Sequence, residues 1–391
     1  MKRQFSAIFI LALTTMFLIS INIAEAAFAE PQANQFHSYL KLGIKKTFNM
    51  EFPDADAYFR KAIALEPENP AGHAYLAMTN LFAYEMTFDD TIRKNHQDSM
   101  LRYVDEALAR GEKRIGKNPK DSKAYLAMAM AKVTRFSWLS QQKQYFNMAR
   151  EASAIWEYLE KAKESDPHNY DLYLLMGSFR YHIDHLPGLT RFLSSLIITA
   201  GDKQKGLQEL ELAAQKGDLL KQLALSELSS NYLNFEKQPA RALPILRELK
   251  DIFPNNYNFS FTLANALSDL GRFDDAFNIA WELDKNIRTG IPPFAPQIRP
   301  RHDLLLGRIF FTQGNYVKAE ESLQKALKDT APYNARVRAL AYLRLGMISD
   351  IRKDRKIALD YYSKALDVKN AGGTAQIDAK KYLETPYMPK P

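Results

Sequence analysis

What most constrains this chain is a small residue that keeps returning at matched places beside large apolar ones. Between Tyr39 and Pro67 the series runs Tyr39, Leu42, Gly43, then Ala55, Phe59, Ala62 and a closing Pro67. Such spacings put the residues on one face of each of two helices, and the small members let the two backbones come close. A hairpin of this kind cannot bury its apolar face alone, so it must stack on further copies of itself. The copies are there. AYLAM stands at 74–78 and again at 124–128, and alignment on Gly43 finds Ala77, Ala127 and Gly177 in the next three units. Pro67 and Pro167 each precede the next such small residue by ten positions.

Four more units follow. Ser230, Ala242, Leu246 and Pro254 mark the fifth, and Ala264, Ala276 and Leu283 a weaker sixth. Leu306, Gly307, Ala319, Leu323 and Ala326 mark the seventh, and Tyr342, Leu345, Gly346, Ala358, Tyr362 and Ala365 the eighth. This pattern resembles the tetratricopeptide repeat (TPR) over residues 36–370. The resemblance implies an all-α, TPR-like α-solenoid of about eight helical hairpins. It is specific for fold and nearly silent on ligand.

Three consecutive units depart from the pattern. Twelve residues separate Gly43 from Ala55, whereas units two, three and four use about 30, 28 and 29 between the corresponding places. The added stretches at 83–100 and 132–148 contain no Gly or Pro, so lengthened helices are expected, with the gain shared by both arms of each hairpin. The third, LPGLTRFLSSLIITAG at 186–201, opens on Pro187-Gly188 and closes on Gly201, which predicts a short amphipathic helix between breaks. GIPPFAPQIRP at 290–300 predicts an ordered loop between units six and seven.

Residues 1–29 read as an address. Lys2 and Arg3 precede an apolar run from Ile8 to Ile23, and two small-residue cut sites follow at Ala24-Glu25-Ala26 and Ala27-Phe28-Ala29. That is the three-part pattern of a cleaved secretory leader, preferred here to an uncleaved membrane anchor because the apolar run is short and its far flank rich in small residues, and it predicts a periplasmic protein. The expected organisation is a leader at 1–29, a block of elongated hairpins at 30–221, a regular superhelix at 222–372 and a tail at 373–391.

Composition narrows the chemistry. With no cysteine in 391 residues, disulfides, thiolate metal sites and a cysteine nucleophile are excluded. The formal charge of +8 is spread along the chain in both signs, so no nucleic-acid partner is expected. Catalytic spacings such as H-E-x-x-H and G-x-S-x-G do not occur, and a non-enzyme without cofactor is expected. His182 and His185 share a helix face, with Asp184 and His168 as conceivable further metal ligands, yet capping a helix end before Pro187 accounts for the pair, and no metal site is assigned.

Function is then expected on a surface. The TPR resemblance implies a concave face formed by the first helix of each unit, and its ligand positions fall on Ser178, Tyr181, Asn231, Asn234, Phe261, Asn265, Arg308 and Phe311. Asn231 and Asn265 lie 34 apart, so their amides should recur once per unit along an extended peptide. The aromatic-rich second and third units offer a second candidate, a pocket at Tyr84, Arg135 and Trp138. The expected function is a non-catalytic periplasmic scaffold holding a protein or peptide segment. The alternative is organic-anion handling beside a periplasmic substrate-uptake transporter, and contact of the 186–201 helix with a membrane surface is a weaker third reading.

Overall fold

The computed structural model describes residues 33–185, 194 and 198–389. The leader and most of the 186–201 insert therefore lie outside the described residues. Among the described residues there are seventeen α-helices and no strand. Helices α1 (33–48) and α2 (Phe52–Leu65) make the first hairpin, α3 (Pro70–Met86) and α4 (Asp90–Lys117) the second, and α5 (Ser122–Gln141) and α6 (Tyr145–Ser165) the third. Helices α7 (Leu172–Asp184) and α8 (Lys203–Lys216) flank the insert, and α9 (Lys221–Asn234) and α10 (Pro239–Ile252) form the fifth hairpin. The last three pair α11 (Tyr257–Asp269) with α12 (Phe273–Thr289), α13 (Arg299–Thr312) with α14 (Tyr316–Ala326), and α15 (Ala335–Ile351) with α16 (Arg355–Asp367). A final helix, α17 (Ala375–Glu384), packs on α15 and α16 from within the stretch expected as a tail. The described residues thus form a TPR-like solenoid of eight hairpins and a closing helix.

Local chemistry sets the helix starts. Asn69, Asp89, Asp121, Asp202, Asn315 and Asp354 each cap the following helix by accepting a backbone N–H with the side chain, which satisfies donors the first turn leaves free. The small residues then determine how the helices nest. A Cβ added at Gly43 would lie 2.6 Å from the Phe59 ring, at Gly177 2.7 Å from the Gly206 carbonyl oxygen, and at Gly307 2.7 Å from Leu323. At Gly346 it would collide with the Tyr362 ring. Ala77 and Ala127 occupy the matching places and are buried. The facing positions Ala55, Ala242, Ala276, Ala319 and Ala358 are fully buried as well.

Lengthening falls unevenly in the second hairpin. The expectation of an equal share is corrected: α3 has 17 residues and α4 has 28, because Asp89 accepts from the Ile92 N–H and starts α4 early. In the third hairpin α5 and α6 do share the gain, with 20 and 21 residues. Every residue from Gly72 to Leu81 of α3 and from Ala124 to Ala131 of α5 is buried. Helices covered on all sides lie at the centre of a body, not along an open groove.

The chain also returns onto its own start. Phe48 at the end of α1 packs against Phe82 and against Phe253, which follows α10. Asn256 donates to the Phe48 carbonyl at 2.7 Å, the Asn255 backbone N–H donates to Asn49 at 3.0 Å, and the Asn255 side chain donates to Glu51 at 3.0 Å. At the other end of α1, His37 and Lys41 both meet Asp218 between α8 and α9. One continuous apolar core runs from Phe36 to Ile309 as a result.

This packing makes the cost of a methyl group depend on where it is added. Gly177→Ala should lower unfolding free energy by about 3 kcal/mol, since backbone atoms oppose the new methyl. Gly116→Ala, with open space around it, should raise it by roughly 0.5 kcal/mol; urea titration of both variants checks the contrast. His73 is buried, and burial, then the Arg110 charge, lowers its pKa. A folded pKa below the unfolded value of about 6.5 makes its contribution complete above that pH and progressively lost below it. His73→Leu should therefore flatten the fall in melting temperature between about pH 7 and pH 5.

Candidate functional site

The inner face formed by α11, α13 and α15 differs from the closed first half. On α13, Arg301 and Arg308 are seven residues apart, two turns along one face. Arg301 donates to the Asn258 side-chain oxygen at 2.6 Å and its guanidinium lies 4.2 Å over the Phe261 ring. Arg308 donates to both carboxylate oxygens of Asp269 at 2.7 Å, tying α13 to the end of α11. Arg344 on α15 stands near Arg308, Asp269 and Tyr387, and its buried Nη1 has no hydrogen-bond partner. Burial pushes the Arg301 pKa down to about 10, and burial together with Arg308 pushes that of Arg344 down to about 9. These are cations held where their charge is poorly solvated.

The chain end closes one side of this face. Asp350 of α15, its side chain almost wholly buried, accepts from Arg355 at 3.0 and 3.1 Å, from the Tyr362 hydroxyl at 2.8 Å and from the Tyr387 backbone N–H at 2.8 Å. Arg355 also donates to the Tyr382 and Leu383 carbonyls, capping the last turn of α17. Tyr387 is thereby laid against Phe311, with ring centroids 6.1 Å apart. A cavity of about 620 Å³ remains between Phe311, Tyr316 and the segment running from Lys381 to Pro389.

The eight positions expected along a concave face divide into two groups. Phe261, Asn265, Arg308 and Phe311 come together on α11 and α13. Ser178, Tyr181, Asn231 and Asn234 lie apart from them on α7 and α9. Tyr181, Asn231 and Phe261 are buried, at 0%, 1% and 2% exposure, so the expectation that they line an open groove is corrected. Tyr181 instead donates to Glu236 at 2.7 Å, and Phe261 lies beneath Arg301. Asn234 is exposed and bonds Ser230, while Ser178 and Asn265 are half-buried.

The aromatic-rich candidate fares differently. Arg93 stacks over Tyr84 at 4.6 Å, Arg135 pairs with Asp105 and approaches Glu151 at 3.8 Å, and the Trp138 indole nitrogen is buried without a partner. Arg135 is therefore already neutralised by carboxylates. A cavity of about 570 Å³ lies elsewhere, between the start of α1 and the connections that carry Asp166 and Asp218. His182 bonds Glu227 at 2.6 Å and His185 bonds the Tyr181 carbonyl at 2.8 Å, so the two imidazoles turn to different partners.

Sequence reasoning missed Arg301, Arg336, Arg344 and Tyr387. The signal available was the seven-residue repeat of arginine in RPRHDLLLGR at 299–308, followed by arginines along the next first helix.

No protein-family model and no curated protein matches this chain. Among solved structures it is similar to the human IFIT1 dimer with PPP-AAAA, at 13% identity and TM-score 0.44, over 90% of this chain and 86% of that one. It is similar to the C-terminal part of a TPR repeat-containing protein from Cytophaga hutchinsonii at 13% identity and TM-score 0.30, over 88% and 98% of the two chains. Yeast Tom70 is similar at 12% identity and TM-score 0.26, over 90% and 95%. The TPR-like fold rests on the hairpins described above, and these likenesses supply no residue correspondence.

Arg355→Ala should cost about 3 kcal/mol, because it leaves the Asp350 carboxylate buried without its cation and uncaps α17. Tyr362→Phe, which removes one of several donors to the same carboxylate, should cost only about 1 kcal/mol in the same urea titration.

Proposed function

We propose that this TPR-like solenoid is a non-catalytic binding scaffold that holds a segment of a protein partner across the inner face of its last three hairpins. The observation that carries this reading is the contrast between the two halves. In the first half α3 from Gly72 to Leu81 and α5 from Ala124 to Ala131 are buried without interruption, whereas α11, α13 and α15 leave Asn265, Arg308 and Arg344 only partly covered. Interior arginines that lack full solvation or full pairing favour an incoming acceptor. In this reading the described residues of 30–221 form the base, residues 222–372 carry the binding face, and residues 385–389 bound it.

The leader pattern at residues 1–29 supports export, and the proposed setting is the periplasm. A protein partner is preferred to nucleic acid because the groove offers few free aromatic faces for base stacking. Phe261 is covered by Arg301, and Phe311 by Tyr316 and Tyr387.

A photo-crosslinking amino acid placed at Asn265, on the inner face, should trap a discrete protein in cells, and the same group at exposed Lys285 on α12 should not. Equal labelling from both positions, or none from Asn265, refutes the groove. Osmotic-shock fractionation of the same cells should release the protein in a leader-cleaved form; retention in the cytoplasmic fraction at full length refutes the setting.

A further inference from the structure

Four successive connections between hairpins meet at the start of α1, around the cavity of about 570 Å³. They bring Glu66 from the α2–α3 turn, Lys123 from the start of α5, Asp166 and Asp171 from the α6–α7 connection, and Lys216 and Asp218 from the α8–α9 connection. Its size falls in the range of about 300–1,000 Å³ common to small-molecule sites. The apolar part of the lining is Phe36 and Leu40 of α1 with Leu126 and Ala127 of α5, all buried.

Tyr75 of α3 lines the same cavity with only 2% of its surface exposed. Its ring stacks on Phe59 at 6.2 Å, yet its hydroxyl bonds none of the described residues. A buried hydroxyl without a partner is costly, and a ligand atom reaching it removes that cost. Burial, then the Asp171 and Asp218 carboxylates, push the Tyr75 pKa well up, so the phenol stays neutral in a negative field. Asp171 is fixed there by the backbone N–H groups of Asp218, Leu219 and Leu220, at 2.8, 3.0 and 3.0 Å. Asp218 in turn holds His37 at 2.7 Å and Lys41 at 2.5 Å, which sets α1 across the cavity.

Cations stand at the rim. Lys216 lies 5.1 Å over the Tyr170 ring, and no carboxylate among the described residues pairs with exposed Lys123. Arg114 gives its Nε to Asp121 at 2.5 Å and keeps the rest of its fork. Glu66 and Asp166, the other carboxylates of the lining, each accept a local bond, from Asn69 at 2.7 Å and from the His168 backbone N–H at 3.0 Å. The lining therefore carries both signs in near balance, with a negative interior and free ammonium groups outside.

From this arrangement we propose that the cavity binds a small zwitterion with an apolar body, the chemistry of a free α-amino acid. The ligand ammonium meets the Tyr75 oxygen in the field of Asp171 and Asp218, its carboxylate meets Lys123 and Lys216, and its side chain covers Leu40 and Leu126. The site is separate from the inner face of the last three hairpins, and the proposal does not rest on the scaffold reading.

The test is calorimetric titration of the full chain with phenylalanine, phenylacetate and phenethylamine, which share a ring and differ in their charged ends. Phenylalanine should bind at least about tenfold more tightly than either of the others. Tyr75→Phe should weaken phenylalanine about threefold or more while melting no lower than the unaltered protein, because the hydroxyl it removes makes no bond in the empty site. Lys123→Met should weaken phenylalanine about fivefold and leave phenethylamine unchanged, a split that a merely structural lysine would not give. No binding of phenylalanine at about 10 mM overturns the proposal, as does equal binding of all three probes. Tighter binding of phenylacetate or of phenethylamine replaces the zwitterion with a simple anion or cation. Phenylalanine affinity untouched by both variants removes the ligand from this cavity.

Discussion

Close backbone contact at a few small residues underlies the whole molecule. Gly43, Gly177, Gly307 and Gly346, with Ala77 and Ala127 between them, sit where one helix of a hairpin meets its partner, and a methyl group at the glycines has nowhere to go. Because helices so tightly paired leave little adjustable space, each hairpin inherits a similar internal angle and the stack must curve. Helix length can then change without loosening the pairing. The second and third hairpins are lengthened this way while Ala107 and Ile155 remain fully buried.

Curvature has consequences beyond shape. After five hairpins the connection around Phe253 to Tyr257 reaches the end of α1, and amides of Asn255 and Asn256 bond the turn there. The first half becomes a filled body with its own buried ion pair, Arg180 with Glu209. The second half continues past the closure with its inner helices buried in interrupted stretches. On that face Arg308 pairs with Asp269, and residues 385–389 run alongside, held at Asp350 through the Tyr387 backbone N–H.

The repeat register was legible from residues alone, since spacing of small and large side chains is a local property that survives in one dimension. Helix starts at Asp89 and Asp121 were equally local, although only the first explains why α4 outgrew α3. What could not be read was which inner-face residues remain accessible. Tyr181, Asn231 and Phe261 fall at places the repeat pattern assigns to an open face, yet all three are buried, Tyr181 bonded to Glu236 and Phe261 covered by Arg301, both distant in sequence. Arg135 looked like a free cation among aromatics, and Asp105, thirty residues away, takes that charge.

By itself, then, the amino-acid sequence determined the hairpins, their number and their nesting, because these depend on contacts between residues a few turns apart. Only the tertiary structure decided which half closes and which stays open, where the chain end lies, and that Arg344 is left without an acceptor. Those outcomes arise from small rotations accumulated over many hairpins, and they bring together residues as far apart as Asn49 and Asn255, whose relation no short-range pattern encodes.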